Sequence, residues 1–150
     1  MLRDVVNASQ QQDADGIAVV FDSSRSKFLS ATRPVFTFAR HHRRARVRTY
    51  LRTIDRLPSN ASGYLLSRDA TITALTVELN SAATISFDIE VERAGVFIQV
   101  ASISLSAEAQ KTTTALDIDL QAGDRLAAKV TTGEADFPVL GVELAWRVSP

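Results

Sequence analysis

The residues that could do chemistry are few. His41 and His42 are the only imidazoles in the 150 residues, and cysteine is absent. Thiolate nucleophiles, disulfide staples and thiolate metal sites are therefore excluded. Neighbouring residues on an ideal strand point to opposite faces, so the two histidines cannot share one metal ion. They also sit in the run Arg40-His41-His42-Arg43-Arg44, whose positive charge opposes a cation. Carboxylates recur at alternate positions in Asp88/Glu90/Glu92 and Asp117/Asp119. That spacing belongs to the polar face of any amphipathic strand and does not specify a paired-carboxylate hydrolase or a calcium ladder. No phosphate-binding loop, dinucleotide fingerprint, nucleophile elbow or zinc-protease helix occurs. The expectation is a protein without catalytic site, metal or cofactor.

The strongest chemical signal is arginine. Between Arg25 and Arg56 ten basic residues face one acid, Asp55, for a local charge of +10 − 1 = +9. The chain is neutral overall, so the remainder carries −9. Within the ribbon, Arg40, Arg43, Arg44, Arg46, Arg48 and Arg52 suit two-point pairing with carboxylates on a protein partner. Phosphate neutralisation is the competing use. A single-strand binder interleaves aromatics for stacking, however, and Tyr50 is the only one among these arginines. Protein docking is the reading preferred, ahead of a solvated face and of a nucleic acid or other polyanion.

The elements that must carry these residues read as strands. Arg44, Arg46, Arg48, Tyr50 and Arg52 alternate with Ala45, Val47, Thr49 and Leu51. Similar alternation runs through Ile85–Val91, Leu116–Leu120 and Leu140–Val148, with a period of two and no sustained helical period. Turn signals lie between these runs at Pro58-Ser59-Asn60, Asn80-Ser81, Ala94-Gly95, Gly123-Asp124 and Thr132-Gly133. Ser104 to Lys111 reads as a strand end plus loop. The pattern predicts eight or nine strands, near 17–22, 34–40, 44–54, 70–79, 84–93, 96–105, 113–120, 125–131 and 139–148. Such spacing without helical crossovers predicts an all-β, antiparallel β-sandwich. A jelly roll of about eight strands is the first choice and an immunoglobulin-like sandwich the second. Residues 1–15 read as a flexible N-terminal arm ahead of a domain spanning 16–150. No run has the roughly 20 apolar residues of a membrane-spanning helix. The N-terminus lacks the pattern of a secretory signal, so folding in the cytoplasm is expected. The sequons at Asn7 and Asn60 are then chance matches.

Several segments resemble small virion proteins of tailed bacteriophages and prophages. Phe21-Asp22-Ser23-Ser24-Arg25-Ser26-Lys27-Phe28-Leu29-Ser30 is similar to their aromatic-Asp-Ser-x-Arg-x-Lys-aromatic-Leu-Ser opening, and Phe36-Thr37-Phe38 to the strand that follows. Ser62 to Ile72 resembles their entry into the central sheet. Leu120-Gln121-Ala122-Gly123-Asp124 resembles a hairpin shared with trimeric tumour-necrosis-factor-like jelly rolls, and Val142 to Arg147 the closing strand. The resemblance spans roughly residues 16–148. It implies a structural protein of the virion, a homotrimer mounted on major capsid or tail proteins. The arginines at 40–52 depart from that pattern, which leaves the docking partner open.

Three functions follow as expectations. The first is a capsid decoration or cement protein, favoured by the absence of a repeating shaft. The second is a tail-fibre or tail-tip component recognising host glycan, for which Tyr50 and Tyr64 are the candidate contacts. The third is a polyanion-binding module. Trp146 shares the phase of Leu144 and Val142 and is expected in the core.

Overall fold

The computed structural model describes residues 18–40 and 44–147. The expected N-terminal arm, His41, His42 and Arg43 lie outside the described residues. In chain order the strands are β1 (Val19–Asp22), β2 (Lys27–Ser30), β3 (Val35–Ala39), β4 (Arg44–Arg46), β5 (Tyr64–Leu65), β6 (Ala70–Arg93), β7 (Val96–Thr113), β8 (Ile118–Leu120), β9 (Arg125–Asp136) and β10 (Val139–Trp146). One short helix, α1 (Ser59–Ser62), precedes β5.

Two strands change partners along their length, and this builds the sandwich. The first half of β6 lies between β10 and the pair formed by β8 and the end of β7, with Val77 opposite Leu140 and Leu75 opposite Thr113. Its second half lies between β9 and the start of β7, with Phe87 opposite Val130 and Ile103. β3 closes the first layer beside β10, and β4 closes the second beside β9. Counting each half of β6 and β7 separately, the first layer runs β3, β10, β6, β7/β8 and the second β4, β9, β6, β7. That interleaving of chain order between two antiparallel layers is the strand order of a jelly roll.

Alternation explains why these segments pack. Leu75, Val77, Leu79, Ile85, Phe87, Ile89 and Val91 of β6 are all buried. They meet Phe38, Leu51, Leu126, Val130, Leu140, Val142 and Leu144 in one core. Trp146 packs against that core edge-on to Phe36, with ring centroids 6.5 Å apart, and is partly buried. The β1–β2 hairpin docks outside the sandwich through buried Leu29 and through Ser30, whose Oγ accepts the Trp146 amide at 2.9 Å.

Four sequence expectations are corrected. Asn80-Ser81 is no turn: β6 passes through it, and register shifts between Glu78 and Ile85 bend the strand at a solvent-facing corner. A β-bulge turns a strand without ending it, so polar turn-forming residues fit there. Ser104 to Lys111 belongs to β7, with Ala107 at φ +57° marking the bend. Thr132-Gly133 lies within β9, where Gly133 at φ +72° forms an irregularity opposite Thr84 and Ile85. The strand expected over 44–54 stops at Arg46. A turn closes from the Thr49 amide to the Arg46 carbonyl, with Arg48 at φ +67°, before Tyr50 bridges to Lys129. Ala45 and Leu51 are buried as alternation requires, but Val47 sits on the turn at 50% exposure. Ala94-Gly95 is a two-residue hairpin with both residues at positive φ, as a right-twisted pair of strands favours.

The Gly123-Asp124 turn is fastened from inside. Asp124 is 1% exposed. Its two oxygens accept from Arg93 Nε at 2.8 Å and Nη2 at 2.6 Å, and the Gln121 amide adds a third bond at 2.9 Å. Burial pushes this carboxyl up, but the Arg93 fork and the Gln121 amide outweigh it and hold the pKa below the ordinary value. At the β1–β2 turn Asp22 accepts from Ser24 and Arg25, which bring its pKa to about 2 against some opposition from burial.

Both carboxyls bind protons less readily folded than unfolded, where an aspartate titrates near about 3.9. Their stabilisation is therefore complete above that value and is lost as the pH falls below it, toward about 2 in the case of Asp22. Asp124→Asn should cost about 1–3 kcal/mol at pH 7. Denaturant titration should show the gap from wild type narrowing at pH 3, and a gap equal at both pH values would refute the account. Gly133→Ala should cost more than about 1 kcal/mol, because a Cβ there meets the Thr84 carbonyl and the positive φ disfavours it. An unchanged melting temperature would show that the β9 irregularity relaxes freely.

Candidate docking surface

The structure distributes the arginine ribbon over three environments instead of one face. Arg44, on β4, reaches across to β9, donating from Nη1 to Glu134 at 2.7 Å and from Nε to Asp136 at 3.2 Å. Arg46 and Arg48 flank the turn that interrupts the strand, and both are exposed. Their side chains make no hydrogen bond or ion pair among the described residues. Arg40 and Arg52 lie farther in and are half-buried. The Arg40 amide donates to the Pro138 carbonyl, while the backbone of Arg52 exchanges bonds of 2.8 and 2.9 Å with Ala39. The expected single arginine face fails because the turn at 46–49 resets the alternation.

Part of the charge asymmetry is also cancelled within the chain. Lys27 bridges Asp117 at 2.7 Å and Asp119 at 2.8 Å, Arg25 pairs with Asp22 at 2.6 Å, and Arg33 approaches the same Asp22 at 3.9 Å. The acidic body thus holds much of the basic ribbon against itself. Arg46, Arg48 and Arg56 remain exposed, with no anionic partner among the described residues. These pairs are mostly at the surface, where each contributes little to stability but fixes where the unpaired charge is left.

Both tyrosines singled out by the sequence are engaged. The Tyr50 hydroxyl donates to Glu90 Oε2 at 2.6 Å on the outer face of the β9–β6–β7 layer. Its ring lies 5.9 Å from that of Phe97 and 5.4 Å below the Lys129 ammonium. Burial first, and then the bond to Glu90, raise the phenol well above its ordinary pKa. Neighbouring Asp88 is raised too, by burial and by the charge of Glu90. The Tyr64 hydroxyl donates to the Thr37 carbonyl at 2.8 Å, and its ring packs 4.9 Å from Phe36 and 5.2 Å from Phe38. Neither ring stands free on a loop as a sugar platform requires.

Tyr64 instead forms one wall of a cleft of ≈ 360 Å³ beside β3, shared with Val35, Phe36, Thr37, Ala39, Arg52, Thr53 and Ile54. Ile54 is 90% exposed at its rim. The loop carrying it is shaped by Asp55, which accepts from Thr53 Oγ1 at 2.5 Å, the Leu57 amide at 2.9 Å and the Ser62 hydroxyl. Sequence reading found Arg52 and Tyr64 but missed Thr37, Thr53 and Ile54, because the cleft joins a strand edge to a loop and no periodicity marks it. Among the described residues no three His, Cys, Asp or Glu side chains are placed to hold a metal ion. No helix among them is long and apolar enough to cross a membrane.

Tyr50→Phe removes one donor from a carboxylate that is 8% exposed and should cost about 1–3 kcal/mol in denaturant titration. No loss would mean that Lys129 alone satisfies Glu90.

Neither a protein-family model nor a curated protein matches the chain. Solved structures similar to it include the Eiger tumour necrosis factor of S. frugiperda, with a TM-score of 0.39 and 18% identity over 78% of this chain and 97% of that one. The nucleoplasmin-like N-terminal domain of Drosophila FKBP39 follows at 0.37 and 13% identity, covering 77% and 93%. A virus-like particle of the extra small virus of the giant freshwater prawn Macrobrachium rosenbergii is similar at 0.27 and 10% identity, covering 79% and 80%.

Proposed function

We propose that this chain is a bacteriophage virion structural protein, a capsid decoration or cement protein that assembles as a homotrimer and docks on neighbouring shell subunits. The observation that carries the reading is the fate of the arginines. A chain that uses Arg25, Lys27 and Arg44 on its own carboxylates leaves Arg46 and Arg48 at an exposed turn with no partner among the described residues. Arginine forks at such a site suit carboxylates on a protein lattice. The jelly-roll strand order supports the same reading, because it supplies a rigid frame whose loops and edges are available for assembly. The motifs resembling virion proteins fall at structural points: the Asp22–Arg25 turn, the entry into β6, the Asp124 turn and β10. No catalytic group is required of it.

The tail-tip reading is weakened by Tyr50 and Tyr64, whose hydroxyls and rings are both committed within the fold. The polyanion reading shares the exposed arginines and is separated by experiment.

Antibody labelling of particles from producing cells should decorate the shell, and light scattering of the purified protein should show a trimer. Arg46→Glu/Arg48→Glu should abolish attachment to shells stripped of the protein while leaving stability within about 0.5 kcal/mol, as for exposed sites generally. Label on the tail, or blockade of host-cell binding by soluble polysaccharide, would overturn decoration. Retention on a DNA column at physiological salt, lost in the double variant, would favour the polyanion instead.

A further inference from the structure

The edge of β3 is only partly closed. Its ladder to β10 pairs Phe38 with Leu140 and Phe36 with Val142, and the Arg40 amide continues it to Pro138. Ala39 turns its N–H and C=O the other way, to Arg52. In an antiparallel ladder such groups alternate, so Val35 and Thr37 also turn theirs away from β10. The Thr37 carbonyl accepts from Tyr64. The Thr37 amide and both backbone groups of Val35 then face the cleft, with no partner among the described residues.

Beside this notch stands a second unmet demand. Arg52 lines the cleft, its Nε is buried, and that nitrogen has no acceptor among the described residues. Its other guanidinium nitrogens make no hydrogen bond among the described residues either. The remaining wall is mostly apolar, formed by Val35, Phe36, Ala39 and Ile54 with Thr53.

We infer that this cleft binds an acidic peptide segment in extended form, which adds as a strand to β3 at Val35–Thr37 and places a carboxylate on Arg52. Only a peptide meets the three demands together. Its backbone pairs with the notch, an alternate apolar side chain covers Ile54 and Val35, and its carboxylate takes the guanidinium in a two-point contact after a small rotation of the side chain. A free phosphate would answer Arg52 alone. A second copy pairing β3 to β3 would supply no carboxylate to Arg52, since Val35-Phe36-Thr37 carries none. The site is separate from the Arg46–Arg48 turn, and the inference does not rest on the virion reading.

The test uses the intact chain and a blocked, dye-labelled hexapeptide of alternating valine and glutamate, read by fluorescence anisotropy and amide NMR shifts. Binding should shift the amides of Val35, Thr37 and Arg52. Replacing glutamate by lysine, or N-methylating alternate amides, should weaken it at least tenfold. Arg52→Met should weaken it equally while leaving the melting temperature unchanged or raised, since an unsatisfied buried nitrogen is removed. Ile54→Glu alters a side chain that is 90% exposed. It sets a like charge at the rim without touching the core, and should also lose the peptide. Three results would overturn the inference: no binding at millimolar peptide, full binding by Arg52→Met or Ile54→Glu, or complete competition by equimolar inorganic phosphate.

Discussion

From Leu75 to Val91 every buried apolar residue of β6 stands at an odd position, although the strand changes layers between Glu78 and Ile85. The corner therefore absorbs a bend without changing parity. Asn80, Ser81 and Ala82 are exposed there, so no core contact is sacrificed to the turn. Strand side chains have a period of two, and a single residue gained or lost at this corner would swing Ile85, Phe87, Ile89 and Val91 to the solvent face. β9 takes its register from that second half, and β4 and the Tyr50 bridge take theirs from β9. The position of the whole arginine segment is thus inherited from the parity of one strand.

That parity was legible in the amino-acid sequence. The alternations at 85–91 and 140–146 placed the core residues on the correct faces and identified an antiparallel sandwich. What was not legible was continuity. Polar pairs such as Asn80-Ser81 and Thr132-Gly133 have the composition of loops, and only the register of neighbouring strands shows that they bend a ladder without ending it. The Arg44–Arg52 run failed in the opposite sense. Its alternation was regular, yet Arg48 adopts φ +67° because residues 48–51 must re-pair with Ala128 and Val130. A backbone demand set by β9 overrode the local pattern.

The candidate site shows the same division. Composition located the charge correctly between residues 25 and 56, but could not say which charges are consumed. Lys27 meets Asp117 and Asp119 across about ninety residues of chain, and Arg44 meets Glu134 and Asp136 across a similar distance. Each such pairing is a tertiary event. The unpaired arginines are those left over when this sorting is complete, and a charge ledger taken along the chain cannot perform it.

An edge strand exposes backbone groups to any other strand, and folded proteins ordinarily blunt it. In β3 the blunting is uneven. The Arg52 bridge closes the Ala39 end and the Tyr64 hydroxyl occupies the Thr37 carbonyl, yet among the described residues nothing pairs with Val35 or the Thr37 amide or accepts from the Nε of Arg52. An identical edge brings no carboxylate to Arg52, so self-pairing through β3 would leave that guanidinium unanswered where the backbone would permit it. The same charge admits a strand that brings its own carboxylate. The notch is therefore selective by what it rejects as much as by what it holds, because backbone pairing alone does not distinguish one strand from another.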